Sequence, residues 1–279
     1  MRLVESNYNG GRPATAIIVP VADIGDETTK RCVEHLERTV KMPFHLILVE
    51  SNGSEFAFGK SINEGMRRAA GFEVVIGMNS DSFPRPTAVE KLLVFMREHP
   101  EVGYAGSSAY CKDLYPFIGI CHCGFLSFMF HIGLLKLAPF YALRMLRGGI
   151  WQNTWLNAWS DGPRTKNPQL IVLGTWLFAM RRECWKDIGG FDEDYYLGWS
   201  DIDTSFRVML SDWYLSACTS AEADHDGKGT PTFPSKAWFP KDTEHFQQEW
   251  PRDTIKQVQL EAKSGKFRWY QDGTFQARR

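Results

Sequence analysis

Three short apolar runs, each released into a polar turn that carries an acid, constrain this chain more than any other feature. Residues 14 to 21, Ala-Thr-Ala-Ile-Ile-Val-Pro-Val, are rich in β-branched side chains, and Phe44 to Val49 and Glu73 to Met78 repeat the pattern. A strand with one wet face would alternate, so continuous runs of this kind suit strands buried on both faces of a parallel sheet. Between them, Cys32, Val33, Leu36 and Val40 fall at helical spacing among charges, and Lys60 to Ala70 reads as a second helix. Strand, helix, strand implies a right-handed crossover. A helix from about Thr87 to Glu98 and a strand near Val102 to Gly106 continue the alternation, which predicts a doubly wound, mostly parallel α/β sheet flanked by helices. Further on come an apolar strand over 171 to 180, a short helix after Arg181-Arg182, a helix over roughly 201 to 211 and a strand near Trp213 to Ala217. Sheets wound this way hold ligands beyond the carboxyl ends of their strands, and Asp23, Glu50 and Asp81 all fall just past strand ends. Three acids at one rim predict a polar site.

Composition removes several functions. The 32 basic and 33 acidic residues leave a net charge of -1, so no global field would attract a nucleic acid. With 43% hydrophobic residues the chain can bury a sizeable core, which excludes disorder. The six cysteines, at 32, 111, 121, 123, 184 and 218, have neither disulfide-framework nor zinc-site spacing, which points to a reducing, cytoplasmic setting. Cys121-His122-Cys123 reads as ordinary thiols rather than a metal cluster, because adjacent ligands diverge. Met1 to Pro13 holds Arg2 and Glu5 and no apolar run, so no secretory leader is expected.

Four segments then occur in a telling order. They are the strand ending Val19-Pro20-Val21, the turn Leu48-Val49-Glu50-Ser51-Asn52-Gly53-Ser54, the element Asn79-Ser80-Asp81, and Gly189-Gly190-Phe191-Asp192-Glu193 leading to Ser200-Asp201-Ile202-Asp203 and Arg207. Together they resemble the inverting family 2 glycosyltransferases, whose fold is GT-A, over about 14 to 230. Where that family usually has Asp, Glu50 and Asn79 stand here, and Ser200 stands where it has Glu. Asn at the second of these positions is similar to a rhamnosyltransferase-like branch.

The resemblance implies transfer of a sugar from a nucleoside-diphosphate donor to an acceptor hydroxyl, on a glycan or a lipid-linked molecule. Breaking the anomeric bond leaves negative charge on the diphosphate, so a cation is needed, and Mn2+ or Mg2+ suits carboxylate ligands. Asp81 is the first candidate to hold it. Similar enzymes carry a histidine where His225 stands, in Ala223-Asp224-His225-Asp226-Gly227; read bare, it is a surface-loop histidine, and Asp224 and Asp226 are the fallback ligands. Inversion needs a base for the acceptor proton, and the resemblance puts it at Asp201, which alone would read as a helix N-cap. Donor contacts are expected from Pro20, Asp23, Glu50, Asn63, Asn79, Ser80 and Asp81, with neutral Asn79 meeting ribose or a cation-bound water. Gly190, Asp192 and Trp199 are expected on the acceptor side, although a plain turn role for Asp192 and Glu193 fits as well. Asp203 and Arg207, four residues apart on one helix, read as a structural pair.

Two regions stand apart. The catalytic domain is expected over 1–229, with an apolar, helical insertion at about 111–169. Leu114 to Leu135 contains no Asp, Glu, Lys or Arg, yet a membrane span there would split one sheet across the bilayer. A buried insertion, peripheral membrane contact at the cytoplasmic face, or self-association through 114–147 remain as its alternatives. The segment 230–279, with Trp238, Phe239, Phe246, Trp250, Trp269 and Tyr270 between charges, is expected to pack on the acceptor side. Among rival functions, a sugar-nucleotide pyrophosphorylase would need a glycine-rich basic loop that Val21-Ala22-Asp23-Ile24-Gly25 does not supply. A catalytically impaired, nucleotide-sugar-binding scaffold is the alternative that Asn79 and Ser200 raise.

Overall fold

A computed structural model describes residues 1–51, 56–111, 119–120, 173–226, 238–271 and 274–277. In chain order the first half contains β1 (Arg2–Tyr8), β2 (Thr15–Val21), α1 (Glu27–Thr39), β3 (Phe44–Glu50), α2 (Phe58–Arg68), β4 (Val74–Met78), β5 (Ser82–Pro84), α3 (Ala88–Glu98), β6 (Val102–Cys111) and β7 (Gly119–Ile120). The second contains β8 (Leu177–Arg181), α4 (Arg182–Asp187), α5 (Ser200–Leu210), β9 (Tyr214–His225), α6 (Trp238–Glu249), α7 (Arg252–Glu261), β10 (Phe267–Gln271) and β11 (Thr274–Ala277).

All the described strands join one sheet in the order β1-β3-β2-β4-β8-β6-β9-β10-β11, with β5 on β9 and β7 on β6. Along that path β3, β2, β4, β6, β9 and β10 run the same way, and β8 is inserted antiparallel between β4 and β6. The β-branched run that forms β2 is buried at every position, as a strand covered on both faces requires. Its residues alternate between two cores: Ala16 and Ile18 meet α2 and α5, whereas Ile17, Val19 and Val21 meet α1 and α3. Each fully buried Ile or Leu of this kind contributes roughly 1.5–3 kcal/mol.

Local chemistry fixes the helices on these faces. Asp26 caps α1 by accepting from the Thr29 amide at 2.6 Å, and its burial of Cys32 and Leu36 follows the apolar spacing of the sequence. On the other face α2 approaches β2 closely, since a Cβ at Gly65 would lie 2.4 Å from Cγ2 of Ile18. The buried guanidinium of Arg181 donates to the carbonyls of Met96 and His99, which closes the carboxyl end of α3.

Three parts of the sheet differ from the sequence expectation. β1 is an edge strand, antiparallel to β3 from Arg2↔Glu50 to Tyr8↔Phe44; its mixed polar pattern gave no strand signal. β9 runs on past Ala217 to His225, through the polar stretch Ser220 to Asp224, because both of its flanks are paired there: Ala109–Cys111 on one side and Ser82–Pro84 on the other. The final segment adds β10, parallel to β9, and Phe246, Trp250, Ile255 and Val258 of α6 and α7 share the core with α5. The readings for 114–147, for the cysteine pair 121 and 123, and for the turn residues 52–54 lie outside the described residues, apart from the backbone of β7. No helix among the described residues is long and apolar enough to cross a membrane.

Candidate active site

The carboxyl ends of β2 and β3 bring two of the expected donor contacts together. Register pairs Val21 with Glu50, the Ser51 amide donates to the Val21 carbonyl at 3.0 Å, and Oε2 of Glu50 accepts from the Ile24 amide at 3.2 Å. Asp23 is exposed beside them; its Oδ1 accepts from the Gly25 amide at 2.7 Å and its carbonyl from the Thr29 hydroxyl at 2.8 Å. Pro20 is buried within β2, opposite Val49. A cavity of about 460 Å³ opens next to this rim, lined in part by Ser51, Phe56, Lys60 and Tyr196.

The next strand end carries the acid with the most specific surroundings. After β4 the chain makes a tight turn in which the Ser82 amide donates to the Asn79 carbonyl at 3.1 Å, and the Asn79 amide to the Trp176 carbonyl at 3.2 Å. Asn79 and Ser80 are half-buried, and Asp81 is 8% exposed. The pairing of β5 with the last residues of β9 sets Ser82 opposite His225, and the Asp226 amide donates to the Asp81 carbonyl at 3.0 Å. His225 Nε2 consequently lies 3.2 Å from Oδ1 of Asp81. That nitrogen is buried and has no hydrogen-bond partner among the described residues. The Trp176 ring flanks the imidazole at 5.8 Å. Behind the pair, burial together with the Asp81 charge pushes the Cys32 thiol up to about 12.

An orphaned imidazole nitrogen beside a nearly buried carboxylate is a donor set that a divalent cation fits. The two fallback acids are committed elsewhere: Arg85 donates to Asp224 at 2.9 Å and to Glu222 at 3.1 Å, and Arg31 donates to Asp226 at 3.1 Å.

The glycine-rich segment after α4 is clamped onto α2. The Asn63 amide group donates to the Phe191 carbonyl at 2.8 Å and to Glu193 at 2.9 Å, and its oxygen accepts from Trp185 at 2.8 Å and from the Phe191 amide at 2.9 Å. Two donors and two lone pairs are all that a carboxamide offers, so Asn63 holds this loop and has no capacity left for a nucleotide. Gly190, at φ 82°, sits where a Cβ would be 2.8 Å from Oδ1 of Asn63, so no larger residue fits. Asp192 accepts from His245 at 3.0 Å, from Arg207 at 3.2 Å and from the Asp194 amide at 2.9 Å. Asp203, fully buried, accepts from Arg207 at 2.8 Å and from the Trp250 indole at 2.8 Å. Burial pushes the Asp203 carboxyl up to about 6, against the pull of Arg207. A cavity of about 690 Å³ borders this network. Ligand atoms of Asp192, Asp194 and His245 lie within 4.8 Å of one another, a second grouping that could hold a cation, although Arg207 already neutralises Asp192.

Asp201 stands in the first turn of α5, half-buried, with Oδ1 accepting from the Ile202 amide at 2.9 Å. At mid-helix the Ser205 hydroxyl receives the Leu173 amide, and Leu173 packs where a Cβ on Gly106 would meet it; Gly106 is paired with Ala217 in mid-strand. The middle of the helix therefore lies alongside β6 and β9 near Gly106 and Ala217. Trp199 does not present its ring to an acceptor: it is 5% exposed, stacks on Phe246 at 4.8 Å and donates to Thr243. Its backbone, held left-handed at φ 63°, leads into α5. Sequence reasoning missed Trp176, Asp242 and His245, whose partners lie far away along the chain and leave no local pattern.

With that geometry in view, similarity to known proteins is informative. A family model described as glycosyltransferase-like family 2 matches residues 1–259. The O-antigen biosynthesis protein RfbC of Myxococcus xanthus is 25% identical over 230 residues, 71% of this chain but only 16% of that much longer protein. Among solved structures, GalNAc-T7 with UDP, GalNAc and Mn2+ superposes with a TM-score of 0.54 at 10% identity, covering 87% of this chain and 50% of that one. The mannosyltransferase PcManGT of Pyrobaculum calidifontis, solved with GDP-Man and Mn2+, matches at a TM-score of 0.46 and 13% identity over 92% of this chain and 71% of that one. The fold is GT-A, and the chain belongs to the glycosyltransferase-like family 2.

Proposed function

We propose that this glycosyltransferase inverts the anomeric centre as it moves a sugar from a nucleoside-diphosphate donor to a hydroxyl of a glycan or lipid-linked acceptor, at the cytoplasmic side of a membrane or in the cytoplasm. The observation that carries the reading is the Asp81–His225 pair, 3.2 Å apart at a strand rim with the imidazole nitrogen unpartnered. Asp81 and His225 would hold Mn2+ or Mg2+, and the ion would offset the charge that develops on the diphosphate.

The chain's own groups account for the rest. Asp23 and Glu50 lie at the first two strand ends, where a base and ribose can donate to them, and Asn79 and Ser80 flank the acid that faces the phosphates. Asp201, at the amino end of α5, takes the proton of the acceptor hydroxyl as that oxygen attacks the anomeric carbon. The carbon–oxygen bond to the diphosphate breaks on the opposite face, and nucleoside diphosphate leaves with the electron pair. Gly190 and Asp192 shape the neighbouring loop.

A panel of nucleoside-diphosphate sugars with manganese, read by thermal shift, identifies the donor. Nucleoside-diphosphate release is then measured with that donor. Asp201→Asn is expected to lower kcat on the order of a hundred- to ten-thousand-fold while the donor still binds. If Asp201→Asn turns over like the parent protein, another group is the base; if donor binds but is never cleaved in any acceptor mixture, the protein is the scaffold instead.

A further inference from the structure

The segment that leads into Asp201 is held by a carboxylate from a distant helix, 44 residues along the chain from Gly198. Asp242 of α6 is 2% exposed. Its Oδ1 accepts from the Tyr196 amide at 2.9 Å, and its Oδ2 from the Leu197 amide at 3.0 Å and the Gly198 amide at 2.7 Å. Three successive backbone donors converge on one buried carboxylate, the arrangement of an anion nest with the anion supplied by the protein.

The next residue is gripped by the same helix. Trp199 donates to Thr243 at 2.9 Å and stacks on Phe246, and its left-handed backbone turns the chain into α5, where its carbonyl accepts from the Asp203 amide at 2.8 Å. A left-handed tryptophan is uncommon and persists only where its surroundings hold it. One residue, Ser200, separates this clamp from Asp201, too short a stretch to absorb a shift before the carboxylate moves.

We infer that Asp242 is a positioning residue: its carboxylate fixes the 196–199 backbone and so sets where the base stands, which makes α6 a working part of the catalytic apparatus. This inference rests on the assignment of Asp201 as base. A displacement of about 1 Å at a reacting group costs on the order of a hundred-fold in rate, so the clamp has leverage on turnover that exceeds its weight in stability.

The test is a double-mutant cycle on the full chain, with manganese and the nucleotide sugar chosen by the thermal-shift panel. Asp242→Asn replaces an acceptor by a donor facing the same amides. It is expected to lower kcat about ten- to a hundred-fold with the donor KM within about twofold. Added to Asp201→Asn, it should slow the reaction little further, because a positioning group acts only through the group it positions. Thr243→Val, which removes the indole's acceptor, should lower kcat several-fold and guards against an Asp242 variant that does not fold. Amide hydrogen exchange supplies a readout free of turnover: in Asp242→Asn, residues 196–199 and the first turn of α5 should lose protection while α3 keeps it.

An unchanged kcat in Asp242→Asn, losses that multiply fully in the double variant, or unaltered exchange at 196–199 would each overturn the inference. Full activity of Asp201→Asn alone is a different outcome, and it removes the base assignment rather than the clamp.

Discussion

Among the described residues, two aspartate–histidine pairs have nearly equal separation and burial, and their hydrogen bonding differs. Asp81 and His225 are 3.2 Å apart with side chains 12% and 17% exposed; Asp192 and His245 are 3.0 Å apart at 12% and 23%. Neither distance nor burial tells them apart. What does is whether the imidazole nitrogen that faces the carboxylate is hydrogen-bonded. In the second pair the imidazole donates to the carboxylate, Arg207 supplies a cation, and a backbone amide takes the remaining oxygen. In the first, the imidazole nitrogen facing the carboxylate is buried and unbonded. A buried polar atom without a partner costs about 1–3 kcal/mol, and such a cost persists where an absent ligand normally removes it. On the proposed reading the closed pair is architecture and the open pair holds the cation.

The largest expected effect follows from that contrast. Asp81→Ala should lower manganese-dependent nucleoside-diphosphate release on the order of a hundred- to a thousand-fold, because a preorganised charge opposite the leaving group is removed. His225→Ala should shift the same reaction toward higher manganese concentration, and chelation should reproduce the Asp81→Ala defect in the parent protein. His245→Ala, tested in parallel, should leave the manganese requirement where it was. A manganese titration that moves for His245 and not for His225 would exchange the roles of the two pairs.

A second prediction probes the closed network through pH. The folded Asp203 carboxyl sits at about 6, raised from an ordinary value of 3.8, so the folded state holds a proton that the unfolded chain has released between those values. Stability contributed by the protonated form is therefore lost as pH rises from about 4 to about 6. Relative to Asp203→Asn, the parent protein should gain roughly 3 kcal/mol as pH falls through that window, by linkage. Urea unfolding of both proteins at pH 4, 5, 6 and 7 measures it; parallel curves would mean that Arg207 and Trp250 hold the carboxylate ionised throughout.

The sequence made the open site legible because its parts follow strand ends. Asp23, Glu50 and Asp81 stand after runs whose burial on both faces could be read directly, and the crossover rule places such ends on one rim. His225 came only from the resemblance, since the strand that delivers it is polar over Ser220 to Asp224 and is held by pairing on two flanks rather than by apolar pattern. The closed network was half legible. Asp203 and Arg207 follow from helical spacing, whereas Trp250, His245 and Asp242 reach α5 and its approach from a distant helix, and no local signal records a contact across the fold. Asn63 shows the same limit from the other side: a polar residue near the rim reads as a ligand contact until its four bonds to the 185–193 region are seen.

The smallest expected effect sets the sharpest boundary on the open site. Two more carboxylates flank His225 in sequence, and if proximity alone made a ligand they would serve as well as Asp81. Asp224 is paired with Arg85 and Asp226 with Arg31, each carboxylate side chain about 40% exposed. Exposed ion pairs of this kind contribute about 0–1 kcal/mol, so Asp224→Asn and Asp226→Asn should leave both stability and turnover within about threefold of the parent. Asp81 differs in being almost buried and in preceding β5, whose first residue, Ser82, is in register with His225. A loss in Asp226→Asn as deep as that of Asp81→Ala would show that the ion reaches past the strand end into the following loop, and the site would then be centred on β9 rather than on the turn after β4.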